Sequence, residues 1–244
     1  MASPKQLQSL SEQRMKKYEL IEAENPPFPG ARRVRALRAF GDVAEGDVGG
    51  WVESEKNLSQ KGEAWVAGDA WVYGGAQVIG DAWVWGNARV SDNALVFDNA
   101  RVYGDAWVGG NARVSDNARV SDNALVTDDA RVFSDAEVSG NARVYGDTLV
   151  FGNALVFGNA LVFDNARVYG DAWVGGNAWV GGNARVFGDA WVFDDALVTD
   201  DARVSDNAWV WGNALVFGNA QVFGNAEVFG DARVFSDAEV SGNA

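Results

Sequence analysis

Residues 88–99 read Ala88-Arg89-Val90-Ser91-Asp92-Asn93-Ala94-Leu95-Val96-Phe97-Asp98-Asn99, and this stretch decides the fold. It is one six-residue unit written twice, Ala-x-Val-x-(Gly/Asp/Ser)-(Asn/Asp). Outward in both directions the unit continues without an insertion from Ala64 to Ala244. Thirty of the thirty-one positions at that interval are Ala, the exception being Thr148, and every position two residues later from Val66 to Val240 is Val. Residues two apart on a strand share a face, so Ala and Val point together and the residue between them points away. Val favours strands, while the closing pair suits a tight corner, because Gly, Asn and Asp tolerate positive φ. A six-residue period does not fit 3.6 residues per turn, which excludes a helix. A short strand and a corner every six residues make a flat coil when three sides close a triangle. The expected fold is therefore all-β: a single-stranded triangular parallel β-helix of about ten 18-residue coils, roughly 48 Å long at ~4.8 Å per coil. Thr148 is the one polar intruder in the interior, and its hydroxyl is expected to bond a neighbouring carbonyl.

These hexads resemble the hexapeptide repeats of left-handed parallel β-helices. Upstream, Lys17-Tyr18-Glu19-Leu20, the run from Arg35 to Val43, Gly49-Gly50-Trp51-Val52-Glu53 and Leu58-Ser59-Gln60 are similar to bacterial YdcK-type β-solenoid proteins. The left hand is what the resemblance implies, since periodicity alone does not give it. The YdcK-like group brings no activity to carry over.

Residues 1–63 differ in kind. They hold all five Lys and all four Pro, with ten basic and ten acidic residues, so the entire net charge of −14 lies in residues 64–244. The chain divides into an N-terminal arm and β cap with a first irregular coil (1–63) and the hexapeptide solenoid (64–244). Residues 4–17 read as a short amphipathic helix or a loose arm, and residues 19–21 and 33–40 as strands around the turn at Pro26-Pro27-Phe28-Pro29-Gly30. Val52 and Leu58 fall in phase with the later Ala positions, which starts the first coil near Gly50. A cap is expected because an open coil exposes unpaired backbone groups. The last residues, Ser241-Gly242-Asn243-Ala244, show no change of composition, so truncation or pairing with another chain is expected at that end.

The chain contains no His and no Cys. That excludes disulfides, thiolate zinc sites, cysteine nucleophiles, Ser-His-Asp triads and imidazole-ligated metals. Net negative charge argues against nucleic acid, and no apolar run approaches a membrane span. The expected location is cytoplasmic. The left-handed helices resembled here include acyltransferases and zinc carbonic anhydrases that depend on histidine, so no catalytic residue, metal or cofactor is expected. Asp/Asn corners offer too few oxygens for calcium and are expected to form ladders along the stack.

Spacing by 18 assigns the outward residues to faces. One face carries Trp65, Trp83, Arg101, Arg119, Glu137, Leu155, Trp173, Trp191, Trp209 and Glu227; another is rich in Arg, with Arg113, Arg131, Arg167, Arg185 and Arg203. Trp173, Trp191 and Trp209 form the candidate ligand or partner surface, since aromatic rows stack on sugars or planar ligands and are enriched at interfaces. The Arg row lies among many Asp, so local ion pairing is expected there. Phe residues after many of the Val, such as Phe97, Phe133 and Phe157, should point outward, and such apolar exposure points to self-association: a dimer, end-to-end through the C-terminal coil or lateral through aromatic rows.

Residues 93–112 reappear as 159–178 and residues 129–142 as 231–244. These displacements are multiples of six but not of 18, so each copy lands on a different face from its source. A site confined to one face would not survive such copying. The sequence thus reads as a non-enzymatic structural scaffold, in a natural, consensus-like or engineered chain. A glycan- or protein-binding module using the aromatic ladder is the alternative, and a hexapeptide-type acyltransferase the remote one.

Overall fold

The computed structural model describes residues 16–242. All regular structure among them is β. Three strands open the chain: β1 (Tyr18–Ile21), β2 (Arg32–Ala36) and β3 (Val48–Val52). Thirty short strands follow, from Trp65–Val66 to Glu239–Ser241. They fall into three parallel sheets of ten, and β1, β2 and β3 extend one of these to thirteen. From Trp65↔Trp83 onward every pair is offset by 18 residues, one triangular coil.

Each hexad builds one side. Val and Ala point inward and are fully enclosed, as at Ala154, Val156, Ala172 and Val174. At about 1.5–3 kcal/mol per buried Val, this column is the main cohesive term, and chain entropy opposes most of it. Backbone groups bond up and down the stack, as in Leu155 N–H to Ala172 O at 2.9 Å. The residue before the Asn/Asp adopts the left-handed conformation at every corner, whether Gly, Asp or Ser.

Side chains reinforce these corners. In the column Asp128, Gly146, Asp164, Gly182, each Asp carboxylate accepts the backbone N–H of the Gly one coil on, at 3.2 and 3.3 Å. One position later, Asn side chains donate upward: Asn123 to Asn141, Asn159, Asn177 and finally Asp195, at 3.1, 3.0, 2.9 and 2.9 Å. An ionised Asp only accepts, so it terminates such a run. The expected corner ladders are present.

Thr148 is fully buried, and its hydroxyl donates to the Tyr145 carbonyl, as expected. Thr148→Ala restores the repeat and loses one neutral hydrogen bond. Its unfolding free energy in urea is expected to stay within about 1 kcal/mol of wild type.

The first coil departs from the sequence reading. Trp51 and Val52 pair with Trp71 and Val72, and Leu58 bridges Val78, so this coil holds 20 residues rather than 18. Val52 and Leu58 thus occupy the Val register, not the Ala register. Both registers face inward, so the two-residue insertion moves neither side chain out of the core. Gly49 fits here for lack of a side chain: a Cβ would lie 2.2 Å from the Val66 carbonyl oxygen. The antiparallel pair β1–β2 covers this coil. The helix-or-arm reading of residues 4–17 falls almost wholly outside the described residues.

The apolar exposure expected of the Phe rows is mostly absent. Phe97, Phe133, Phe151, Phe157, Phe163, Phe187, Phe193, Phe217 and Phe223 are half-buried. Many stack on aromatic neighbours one coil away, as in Phe133, Phe151, Tyr169 and Phe187 at 4.9, 4.9 and 5.0 Å between ring centres. Only Phe229 and Phe235, in the last coils, are more than half exposed.

Candidate functional site

Outward side chains follow the two face assignments in register. Trp173, Trp191 and Trp209 pair directly on neighbouring coils. Their rings stack at 4.6 and 4.9 Å and lie within 5° of parallel. The stacking uses up the inner ring faces, so solvent meets chiefly indole edges. Below Trp173 sits Leu155, with the Phe157 ring edge-on at 6.1 Å, and above Trp209 sits Glu227. The row is ordered, yet it offers a flat ligand no open aromatic face between its members.

An open face exists nearer the cap. Trp85 stacks on Tyr103 one coil above, at 4.5 Å and 5°. One coil below, its counterpart is Ala67, a methyl group where a ring would continue the stack. The space left is a groove of about 420 Å³ lined by Asp42, Glu63, Ala67, Gly68, Trp83, Trp85, Gly86 and Arg101. That volume lies in the range of small-molecule pockets.

The cap forms part of this groove. Phe40 and Val43 form a short antiparallel bridge, which holds the turn bearing Asp42. The Phe40 ring packs edge-on against Trp65 at 5.4 Å, which fixes that turn against the coil. Glu63 comes from the corner before Ala64, and its backbone N–H donates to Asp81 Oδ1 at 2.8 Å. Arg101 donates to the Asp81 carbonyl at 2.9 Å and lies over the Trp83 ring, 5.9 Å from its centre. One cation, two carboxylates and two indoles thus meet in one concavity. Sequence reasoning singled out none of these as a site. Its only signal was Ala67 below the Trp85–Tyr103 pair, and the cap turn that closes the groove obeys no repeat.

The Arg row differs from expectation. Among the described residues there are three ion pairs, Lys16–Glu55, Arg33–Asp69 and Arg35–Glu19, all involving the cap or first coils. Arg113, Arg131, Arg167, Arg185 and Arg203 have none. The reason lies at the corners, where Asp carboxylates are engaged along the stack by backbone N–H and Asn amide groups.

Among the described residues no group of His, Cys, Asp or Glu has the arrangement of a metal site, and no helix is long and apolar enough to cross a membrane.

The YdcK beta solenoid repeat matches residues 88–104, 96–110, 112–128, 118–134 and 160–176. Among solved structures, the chain is similar to LpxA from Acinetobacter baumannii, with a TM-score of 0.51 and 12% identity over 66% of this chain and 69% of that one. It is also similar to a UDP-N-acetylglucosamine acyltransferase from Francisella novicida, at a TM-score of 0.35 and 14% identity over 60% of each chain. No curated protein matches. The chain is therefore built on YdcK-type solenoid repeats and has the LpxA-like left-handed parallel β-helix architecture. The neighbours correct the expectation of a non-enzymatic scaffold: the architecture is of the hexapeptide acyltransferase type and gives a purely structural role no support. At 12% identity the likeness establishes the fold alone.

Proposed function

We propose that the chain binds an anionic sugar, such as a sugar phosphate, in the groove beneath Trp85. The observation that supports this most is the unstacked lower face of Trp85 above Ala67, with Arg101 and two carboxylates beside it. A sugar ring presents C–H groups to an indole face. Its phosphate matches the Arg101 guanidinium, and its hydroxyls match the acceptors of Asp42 and Glu63. A transfer step at this site would need a base, and in a chain without His these two carboxylates are the groove's proton acceptors.

Ligand-observed NMR with glucose 1-phosphate tests the reading, with glucose and inorganic phosphate alone as comparisons. Saturation transfer is expected for glucose 1-phosphate and expected to be lost in Trp85→Ala and in Arg101→Gln. Trp191→Ala, on the self-stacked row, is expected to leave it unchanged. Transfer that survives Trp85→Ala but vanishes in Trp191→Ala would place the site on the ladder and overturn the reading.

A further inference from the structure

We infer that the Arg-rich face is a second binding surface, separate from the groove, for an extended anionic polysaccharide lying along the solenoid axis. Five of the ten Arg in residues 64–244 share this face. Arg113 and Arg131 are register neighbours, Leu149 intervenes, and Arg167, Arg185 and Arg203 then follow on consecutive coils. Like charges in register repel, and nothing among the described residues neutralises them. On the other faces Arg89 and Arg101 lie over Trp71 and Trp83, at 4.5 and 5.9 Å from the ring centres. The five Arg of this face have neither ring nor carboxylate, and all but the half-buried Arg185 are exposed. Between Gln77 and Gln221 no acidic residue occupies the row.

The geometry selects the class of polyanion. Charges recur once per coil, at the strand spacing of about 4.8 Å, and a polyuronate carries one carboxylate per sugar ring at a comparable interval. Beside the Arg row runs the Phe133, Phe151, Tyr169, Phe187 stack, whose rings lie within 3° of parallel to their neighbours. Its inner faces are taken by one another, so it offers no platform for nucleobases, on which single-stranded nucleic acid binding relies. Ring edges remain for sugar C–H groups. The net charge of −14 adds repulsion that grows with the charge density of the ligand, which further favours a polyuronate over nucleic acid.

Fluorescence anisotropy with a labelled decameric oligogalacturonate at low salt tests this. Saturable binding is expected, weakening as salt rises. The variant Arg167→Gln/Arg185→Gln/Arg203→Gln is expected to bind at least about tenfold more weakly, with a shallower salt slope. Gln already stands in this row at positions 77 and 221, so the substitution suits the fold, and circular dichroism checks it. Arg89→Gln/Arg143→Gln/Arg233→Gln, on a different face, is expected to bind like wild type. The inference is overturned by absence of saturable binding, by equal loss in both triple variants, or by tighter binding of a single-stranded DNA decamer.

Discussion

Val156→Asp is expected to unfold the middle of the solenoid. Val156 is fully enclosed and lies in register between Val138 and Val174. The neighbouring inward positions are Val and Ala, so no donor is within reach of a carboxylate. Burial of an unpaired charge belongs to the severe class of substitutions, at about 4–5 kcal/mol or more. Coils contact only their neighbours, so the damage should centre on residues near 138–174 rather than spread evenly. Hydrogen exchange should show protection lost there first, with limited proteolysis cutting in the same segment. Leu155→Asp, one residue away and pointing outward, should cost only about 1 kcal/mol. Comparable stability of the two variants would mean that inside and outside have been assigned wrongly.

A second large effect is expected at the cap, as a dependence on pH. Lys17 is completely enclosed; its Nζ donates to the Ala64 carbonyl at 2.7 Å and the Gly62 carbonyl at 3.3 Å, and lies 4.9 Å from the Phe40 ring centre. Burial, helped by Arg38, lowers its pKa from 10.5 to about 8, against the opposing pull of Asp81 and Glu63. The native state therefore gives up this proton before the unfolded chain does. Between pH 8 and 10.5 the unfolded chain binds more protons, so this contribution to stability rises with pH. It is complete above 10.5 and is lost as pH falls through 8. Tyr18 acts in the opposite sense. Burial pushes its phenol well above 10, so its contribution is present below pH 10 and is lost as pH rises beyond. The clean window is pH 8–10. Urea unfolding there should show wild type gaining on Lys17→Met by on the order of 2–3 kcal/mol. A difference that stays flat across the window would contradict the enclosed ammonium.

The strict Ala and Val positions made the three-sided coil legible in the sequence, and the 18-residue spacing put Trp173, Trp191 and Trp209 on one face. Legibility ended where an element does not repeat. The 20-residue first coil depends on how residues 53–64 bulge between Val52 and Ala64, and the groove depends on a cap turn at Asp42 folding toward Ala67. Ion pairing of the Arg row was expected from the proximity of Asp in sequence. It failed because left-handed corners turn carboxylates such as Asp164 along the stack, where Gly182 N–H takes one of their oxygens. Likewise, spacing found the Trp row but not that stacking at 4.6 Å leaves its inner faces closed.

The groove exists because Ala67 leaves the space beneath Trp85 empty, so filling that space is the most direct test. Ala67→Phe would continue the stack through Trp85 to Tyr103, and cross-coil aromatic contact should hold or raise the melting temperature. Titration calorimetry with glucose 1-phosphate should then show binding to wild type and none to Ala67→Phe. Undiminished binding to a stably folded Ala67→Phe protein would contradict the account.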